Sequence, residues 1–269
     1  MNFFKSQDEA RHNTGRLVVL FSLAVVSLIV MTNLLVMFVF GYIKFEQTGS
    51  INTGLLIREI DWQVFLVIGA AVTITIAFGS LYKILALAGG GTRIAEMLDA
   101  ELVVNGSNDF RRQRLLNVVE EMAIASGTPV PPVYLLDEDG INAFAAGYKP
   151  GDAVIGVTRG AIEKLSREQL QGVIAHEFSH ILNGDMKLNI RLIGLLHGIL
   201  LIGLIGYYIL RSTSHSRRSK NSAGAAVLGL GLVVIGYAGT FFGNLIKAAV
   251  SRQREFLADA SAVQFTRNT

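Results

Sequence analysis

The segment His176-Glu177-Phe178-Ser179-His180 decides how this sequence is interpreted. Apolar residues recur around it at helical spacing, so a helix is predicted to begin after Ser166 and to run into the following apolar stretch. Ser166 and Gln169 have the spacing of a capping box at the start of that helix. Since residues four apart share one helical face, both imidazoles can reach one ion, and Glu177 can reach a water beside it.

Neutral imidazole nitrogens suit Zn²⁺, which lowers the pKa of water so that a carboxylate can take its proton. The alternative is a surface helix with two solvated histidines. Apolar neighbours argue against it, because a buried His/Glu set without partners would be costly. Those neighbours are Leu170, Val173, Ile174, Ile181 and Leu182. The segment therefore predicts a metal site with Glu177 as general base, and zinc suits it better than cobalt or manganese.

A third ligand must come from elsewhere, because no further histidine follows at close spacing. His197 lies in an apolar stretch and His215 in a basic loop. Glu255 and Asp259 are one helical turn apart, so Glu255 can bind the metal while Asp259 accepts a hydrogen bond from a ligand histidine. Alone, this pair would be interpreted as exposed acidic residues near arginines; the histidine segment is what favours a metal site.

The composition indicates a membrane protein. Of 269 residues, 51% are hydrophobic and 17% are charged, against about 25% charged in soluble domains, which excludes disorder and a wholly soluble enzyme. The absence of cysteine excludes disulfides, thiolate zinc sites and a cysteine nucleophile. The net charge is +3, and the basic excess lies beside the apolar stretches, where it can face lipid headgroups. No nucleic-acid partner is expected.

Four apolar stretches are long enough to span a bilayer: residues 17–43, 62–82, 192–210 and 223–246. For the last two, a buried hairpin is the alternative to full crossing. Positive-inside counting favours a cytoplasmic N-terminus, although the basic 211–222 loop would then lie outside if all four stretches cross. A hairpin returns the chain to the side it left, so residues 89–191 and 247–269 share a face in both cases.

The predicted organisation has four parts. Residues 1–88 hold two transmembrane helices, 89–191 a catalytic domain, 192–250 an apolar hairpin and 251–269 a helix with the third zinc ligand. Within 89–191, Gly89–Gly91 is expected to be a flexible exit from the second span. The other elements expected there are a helix over Phe110–Ser126 stopped by Gly127 and strands over Val133–Leu136, Ile141–Gly147 and Ala153–Val157.

Three segments together resemble the membrane-embedded gluzincin proteases, which include HtpX-type heat-shock proteases and CAAX prenyl proteases. The segments are HEFSHILNGD (176–185), SRQREFLAD (251–259) and NAFA (142–145). The resemblance implies an α+β membrane protein with a mainly helical, zincin-like catalytic domain, a small β-sheet and about four transmembrane helices. It also implies one Zn²⁺ per chain, bound by His176, His180 and Glu255, with Glu177 as general base and Asp259 accepting a hydrogen bond from a ligand histidine.

The resemblance further implies that the strand at Asn142, Ala143 and Phe144 pairs with an extended substrate, as in β-augmentation. A turn residue is an equally good interpretation of Asn142. Arg252 matches a family arginine and is a candidate for oxyanion stabilisation, with an acidic neighbour or a lipid headgroup as alternative partners. His197 is either an intramembrane functional group or a packed neutral histidine.

The implied function is a zinc-dependent endopeptidase of the bacterial inner membrane, with its catalytic domain on the cytoplasmic face. Membrane-associated or misfolded proteins are the expected substrates, with a quality-control role. The alternatives are a CAAX-type prenyl-protein protease and a non-catalytic zinc-binding membrane scaffold. Family members normally continue beyond the position of Thr269, so the sequence is expected to be a piece of a longer chain or to have a short C-terminal region. It does not indicate an oligomeric state.

Overall fold

The computed structural model describes residues 3–48, 62–87, 89–106, 109–215 and 222–266. Expectations that fall on 49–61, 216–221 and 267–269, including most of the basic loop, lie outside these residues. The helices are α1 (Phe3–Thr48), α2 (Trp62–Leu87), α3 (Gly90–Met97), α4 (Phe110–Ser126), α5 (Arg159–Lys164), α6 (Arg167–Asn183), α7 (Asp185–His215) and α8 (Ser222–Thr266). The strands are β1 (Glu101–Leu102), β2 (Val133–Leu136), β3 (Ala143–Ala146) and β4 (Val154–Thr158). This mainly helical architecture with one small sheet confirms the predicted fold class.

The chain divides into two compact units, of which the first holds the sheet. It comprises Met1–Leu17, Ile84–Arg191 and Ala248–Thr269. Its sheet has the order β1-β2-β4-β3, with β2 and β4 parallel and the other neighbours antiparallel. Strand β3 therefore lies at an edge.

Helices cover both faces of this sheet. On one face, α4 and α6 pack on Val133, Leu135, Ile155 and Val157 in a core that includes Phe178 and Ile174. On the other face, Ala95 of α3 packs against Tyr134, Ala146 and Val154. Because α6 packs on the sheet through its apolar residues, its position relative to β3 is fixed by the core.

The second unit, Val18–Lys83 and Leu192–Lys247, is made of apolar helical segments. Among the described residues, four helices are long and apolar enough to cross a membrane, at Gln7–Phe40, Trp62–Leu87, Asp185–Thr213 and Ala223–Val263. They contain the predicted apolar stretches 62–82, 192–210 and 223–246, and all of 17–43 except residues 41–43. Large apolar side chains on them are exposed, among them Phe38, Phe78 and Phe241. An outward-facing apolar surface is typical of helices in lipid.

Several local predictions agree with the structure and others are wrong. Helix α4 and strand β2 have the predicted bounds, and Gly127 adopts the left-handed conformation that ends α4. The exit at Gly89–Gly91 is not simply flexible, because α3 begins at Gly90. The helix after Ser166 does not run on into the apolar stretch: α6 ends at Asn183, Gly184 is left-handed with φ 69°, and α7 begins at Asp185. The short elements β1 and α5 were not predicted.

Candidate metal centre

Helix α6 is held in place at its start and along its buried face. The Ser166 hydroxyl accepts a hydrogen bond from the Gln169 backbone N–H (3.2 Å), and the Gln169 side chain accepts one from the Ser166 backbone N–H (2.9 Å). Such a capping residue contributes about 1 kcal/mol to helix stability. Leu170, Ile174 and Phe178 are completely buried. The face that carries the two histidines is therefore presented by a well-anchored helix.

The two histidines converge with a carboxylate from α8. Nε2 of His176 lies 3.1 Å from Nε2 of His180 and 3.1 Å from Oε2 of Glu255. Nε2 of His180 lies 3.7 Å from the same Glu255 oxygen. One ligand atom from each of these residues falls within 4.8 Å of the others. The three side chains come from segments separated by more than seventy residues, yet their donor atoms meet at one point.

Each histidine has its second nitrogen beside a carboxylate. Nδ1 of His176 lies 2.9 Å from Oδ1 of Asp259, and Nδ1 of His180 lies 2.8 Å from Oδ2 of Asp185. A neutral imidazole that donates from Nδ1 presents a lone pair at Nε2. Both Nε2 atoms are then acceptors directed at one point that a carboxylate oxygen also faces, which is the arrangement of a metal-ligating histidine pair.

This donor set fits a zinc ion. Zinc is bound by histidine nitrogen and carboxylate oxygen at about 2.0–2.2 Å, so tetrahedral neighbours lie roughly 3.3 Å apart. The three separations within the cluster are 3.1, 3.1 and 3.7 Å. Three acceptors this close would repel one another unless a cation or a proton lay between them.

Glu177 is buried next to the histidine pair. Burial raises the pKa of its carboxyl above the ordinary value, and the neighbouring His180, His176 and a hydrogen bond from the Ala145 backbone only partly offset this effect. A carboxylate whose proton affinity has been raised in this way is suited to accept and return a proton.

His180 carries opposing influences. Burial lowers the pKa of its imidazole, but the hydrogen bond to Asp185 and the nearby carboxylates of Glu177 and Glu255 outweigh burial, so the pKa is raised overall. The surrounding carboxylates therefore favour a positive charge at this position, whether that charge is a proton or a metal ion.

The sequence interpretation did not single out Asp185 or Arg254, which contact the site. Besides contacting His180, Asp185 lies 3.0 Å from Nη1 of Arg254, and both side chains are largely buried. The chain turns at Gly184, so that Asp185 begins α7 with its carboxylate beside His180. The signal that could have found it is the Gly-Asp pair after the helix, because Gly favours a helix end and Asp a helix start.

Strand β3 faces the site with its open edge. The backbone N–H of Thr158, in β4, donates to the Asn142 carbonyl (3.0 Å). In an antiparallel ladder alternate residues bond to the same neighbour, so Phe144 also bonds to β4. The N–H and C=O groups of Ala143 and Ala145 therefore point away from β4, towards the open edge. The Ala145 N–H accordingly meets Glu177. Asn142 is exposed just before β3, where its backbone N–H donates to the Thr158 hydroxyl (2.9 Å).

The remaining candidates have no recorded contact with the cluster among the described residues. Arg252 is exposed on α8, one turn before Glu255. His197 lies in the apolar second unit, where its ring centre is 6.2 Å from that of Tyr82. Asp259, by contrast, contacts His176 as described above.

Comparison with known proteins finds relatives that match more than half of this chain. The chain is 41% identical over 153 residues to the "Protease HtpX homolog" of Dictyoglomus turgidum, covering 57% of this chain and 49% of that protein. It is 38% identical over 161 residues to that of Bacteroides fragilis (58% and 49%). It is 36% identical over 172 residues to that of Streptococcus equi subsp. zooepidemicus (62% and 56%). The chain thus spans about half the length of the curated relatives it matches.

These relatives confirm the resemblance to HtpX-type proteins, and the four apolar helices make the chain an integral membrane protein. Residues 109–269 match the sequence pattern of Peptidase family M48, over more than half of the chain. The matched region includes α6, β3 and the part of α8 that carries Glu255. On this match the protein belongs to peptidase family M48.

Proposed function

We propose that this protein is a zinc-dependent, membrane-bound endopeptidase. One observation carries the proposal: a ligand atom from each of His176, His180 and Glu255 lies within 4.8 Å of the other two, beside the buried carboxyl of Glu177. A purely structural metal site has no use for a buried carboxylate with a raised pKa next to its ligands. The M48 family and the HtpX homologues, which are named as proteases, support the same reaction class.

The proposed roles follow from the contacts. His176, His180 and Glu255 would hold the zinc, and Asp259 would fix the ring of His176 through Nδ1. When bound, zinc supplies a Lewis acid that polarises a peptide carbonyl and lowers the pKa of water. Glu177 takes a proton from the attacking water at its carboxylate and delivers it to the nitrogen of the leaving amine.

Substrate is proposed to bind as an added strand along β3. Ala143 presents its N–H and C=O groups on the open edge, and Ala145 presents its C=O there, because its N–H donates to Glu177. Main-chain hydrogen bonds hold many sequences in one register, so they suit unfolded segments of varied sequence. Arg252, on the helix surface one turn from Glu255, is the proposed partner of the oxyanion, and Asn142 the proposed substrate contact at the start of the strand.

The proposed setting is the bacterial inner membrane, with the catalytic region on the cytoplasmic face. Lys5, Arg11 and Arg16 precede the first apolar stretch, which favours a cytoplasmic N-terminus. We retain the division into two N-terminal spans (1–88), a catalytic domain (89–191), an apolar hairpin (192–250) and a helix with the third ligand (251–269) as part of this proposal. A protease anchored in a bilayer meets membrane proteins first, so misfolded membrane proteins are the proposed substrates in a quality-control role.

The test is Glu177→Gln in the full chain, purified in detergent. Zinc content by mass spectrometry should stay at one per chain, because the ligands are untouched, while cleavage of an unfolded protein should fall by at least about a hundredfold. The control is Glu163→Gln, an exposed carboxylate on α5, which should leave both readouts unchanged. Full activity of Glu177→Gln would end the general-base assignment. Zinc binding by the wild type without cleavage of any unprenylated, unfolded substrate would end the endopeptidase proposal.

A further inference from the structure

Lys187 brings a positive charge to the end of β3 that follows Ala146. Its Nζ lies 5.4 Å from the centre of the Tyr148 ring. Tyr148 follows the end of β3 at Ala146 by two residues, and Lys187 lies in the first turn of α7. A cation over an aromatic face is attracted by the ring quadrupole, so the contact positions the ammonium without neutralising it.

The surroundings of Lys187 leave this charge available. The side chain is half-buried, and no carboxylate in the described part of the chain lies within 4.0 Å of its ammonium. Asp152, the acidic residue of the adjoining loop, accepts hydrogen bonds from the backbone N–H groups of Tyr148 (2.9 Å) and Lys149 (2.5 Å). Lys149, and Arg191 one turn further along α7, add positive charge nearby in the sequence.

The distance from the reacting centre follows from strand geometry. Ala145 contacts Glu177 at the open edge of β3, and Tyr148 lies three residues further on, roughly 10 Å away in extended chain. An added strand pairs most favourably in the antiparallel sense. Such a substrate runs from the Tyr148 end of β3 towards the Asn142 end. Its residues N-terminal to the cleaved bond therefore pass Lys187.

We propose that Lys187, held by Tyr148, binds an acidic side chain of the substrate about three residues N-terminal to the cleaved bond. This subsite rests on the proposed function, because it requires an extended polypeptide to be cleaved beside β3. The recognition is a charge-assisted hydrogen bond between ammonium and carboxylate. For a partly exposed pair, the expected preference for an acidic over a neutral side chain is about fivefold in kcat/KM.

The experiment uses the zinc-loaded full chain in detergent, an unfolded protein as substrate and sequencing of the products. The wild type should cleave with acidic residues enriched about fivefold near the third position before the cut. Lys187→Met should lose this enrichment, and Lys187→Glu should replace it with enrichment of Lys and Arg. Lys5→Met, which removes an exposed lysine at the start of α1, is the matched control and should keep the wild-type pattern.

A merely structural role of Lys187 would lower cleavage of all peptides equally, so kcat/KM is also measured on a matched pair of Glu and Gln peptides. A Glu-to-Gln ratio that stays the same in Lys187→Met, or a wild type without acidic preference, would overturn the subsite and leave the endopeptidase proposal standing. Acidic preference only on the C-terminal side of the cut would also overturn it. If the zinc-loaded wild type cleaves nothing, the proposed function fails and the subsite fails with it.

Discussion

Oδ1 of Asp259 lies 2.9 Å from Nδ1 of His176, and the two residues come from different helices of the first unit. The equivalent partner of His180 is Asp185, at 2.8 Å. Both carboxylates select the imidazole tautomer that leaves Nε2 as an acceptor. They differ in burial, because the Asp259 side chain is 69% exposed and that of Asp185 is 10% exposed. This difference predicts unequal contributions to metal binding.

Asp259→Asn should weaken zinc binding by about tenfold and Asp185→Asn by closer to a hundredfold. The ordering follows because water can replace an exposed hydrogen-bond partner but not a buried one. Competition with a fluorescent zinc chelator measures both affinities, and Glu163→Gln serves as the control carboxylate. Wild-type affinity in both variants would show that these contacts do not orient the ligands.

The Asp185–Arg254 pair predicts a stability effect that can be separated from metal binding. Arg254→Met should lower the free energy of unfolding by about 3 kcal/mol, because it leaves the buried carboxylate of Asp185 without its cation. Adding Asp185→Asn should recover part of this loss. Thermal unfolding of the zinc-free protein in detergent measures the double-mutant cycle.

Arg252→Met is the matched control for that cycle. Arg252 is two residues away on the same helix but is exposed, so its replacement should change the free energy of unfolding by less than about 0.5 kcal/mol. An equal decrease in the free energy of unfolding for Arg252→Met and Arg254→Met would contradict a stabilising pair between Arg254 and Asp185.

The helix break at Gly184 predicts opposite effects for two glycine substitutions. Gly184→Ala should destabilise the protein by about 1 kcal/mol, because Gly184 has φ 69°, a left-handed conformation that alanine disfavours. An added Cβ would meet nothing within 4 Å, so no steric clash adds to this cost. Gly172→Ala, inside α6 and also in open space, should stabilise by about 0.5–1 kcal/mol. Thermal unfolding compares the two. A stabilising Gly184→Ala would mean that α6 and α7 form one continuous helix in solution.

How far the sequence predicts the structure depends on whether the decisive signal is local. The bounds of α4 follow from its apolar spacing and the stop at Gly127, and α6 begins where Ser166 and Gln169 cap it. Apolar spacing does not mark the break at Gly184, because apolar residues continue on both sides and a single Gly is tolerated inside helices. Its local signal is the weaker one of a Gly followed by an Asp. Strand β1, with two residues, and α5, with six, are too short for any periodicity to show.

The same distinction applies to the candidate site. His176, Glu177 and His180 lie within one helical turn, so spacing alone places them together. Which arginine of α8 contacts Asp185 depends on how that helix is rotated against α6, which is a matter of tertiary packing. The sequence singles out Arg252 as a candidate for oxyanion stabilisation, but it gives no signal that Arg254 contacts Asp185.

A close contact between two helices of the second unit predicts that Gly236→Ala destabilises the protein. A Cβ on Gly236 of α8 would lie 2.2 Å from the backbone nitrogen of Gly203 on α7, so the two backbones touch without intervening side chains. Gly236→Ala must push the helices apart, and overpacking of this kind costs about 1–3 kcal/mol. Such close approach is how small residues pack helices in lipid, where no hydrophobic driving force acts between them.

The control for Gly236→Ala is Gly15→Ala on α1, where an added Cβ would meet nothing within 4 Å. This variant should be neutral or slightly stabilising, because alanine is the better helix former. Thermal unfolding in detergent distinguishes the two, and the lowered stability of Gly236→Ala should come with unchanged zinc affinity, since the metal-ligand candidates all lie in the first unit. Equal stability of the two variants would show that the contact between Gly203 and Gly236 is not a close one in solution.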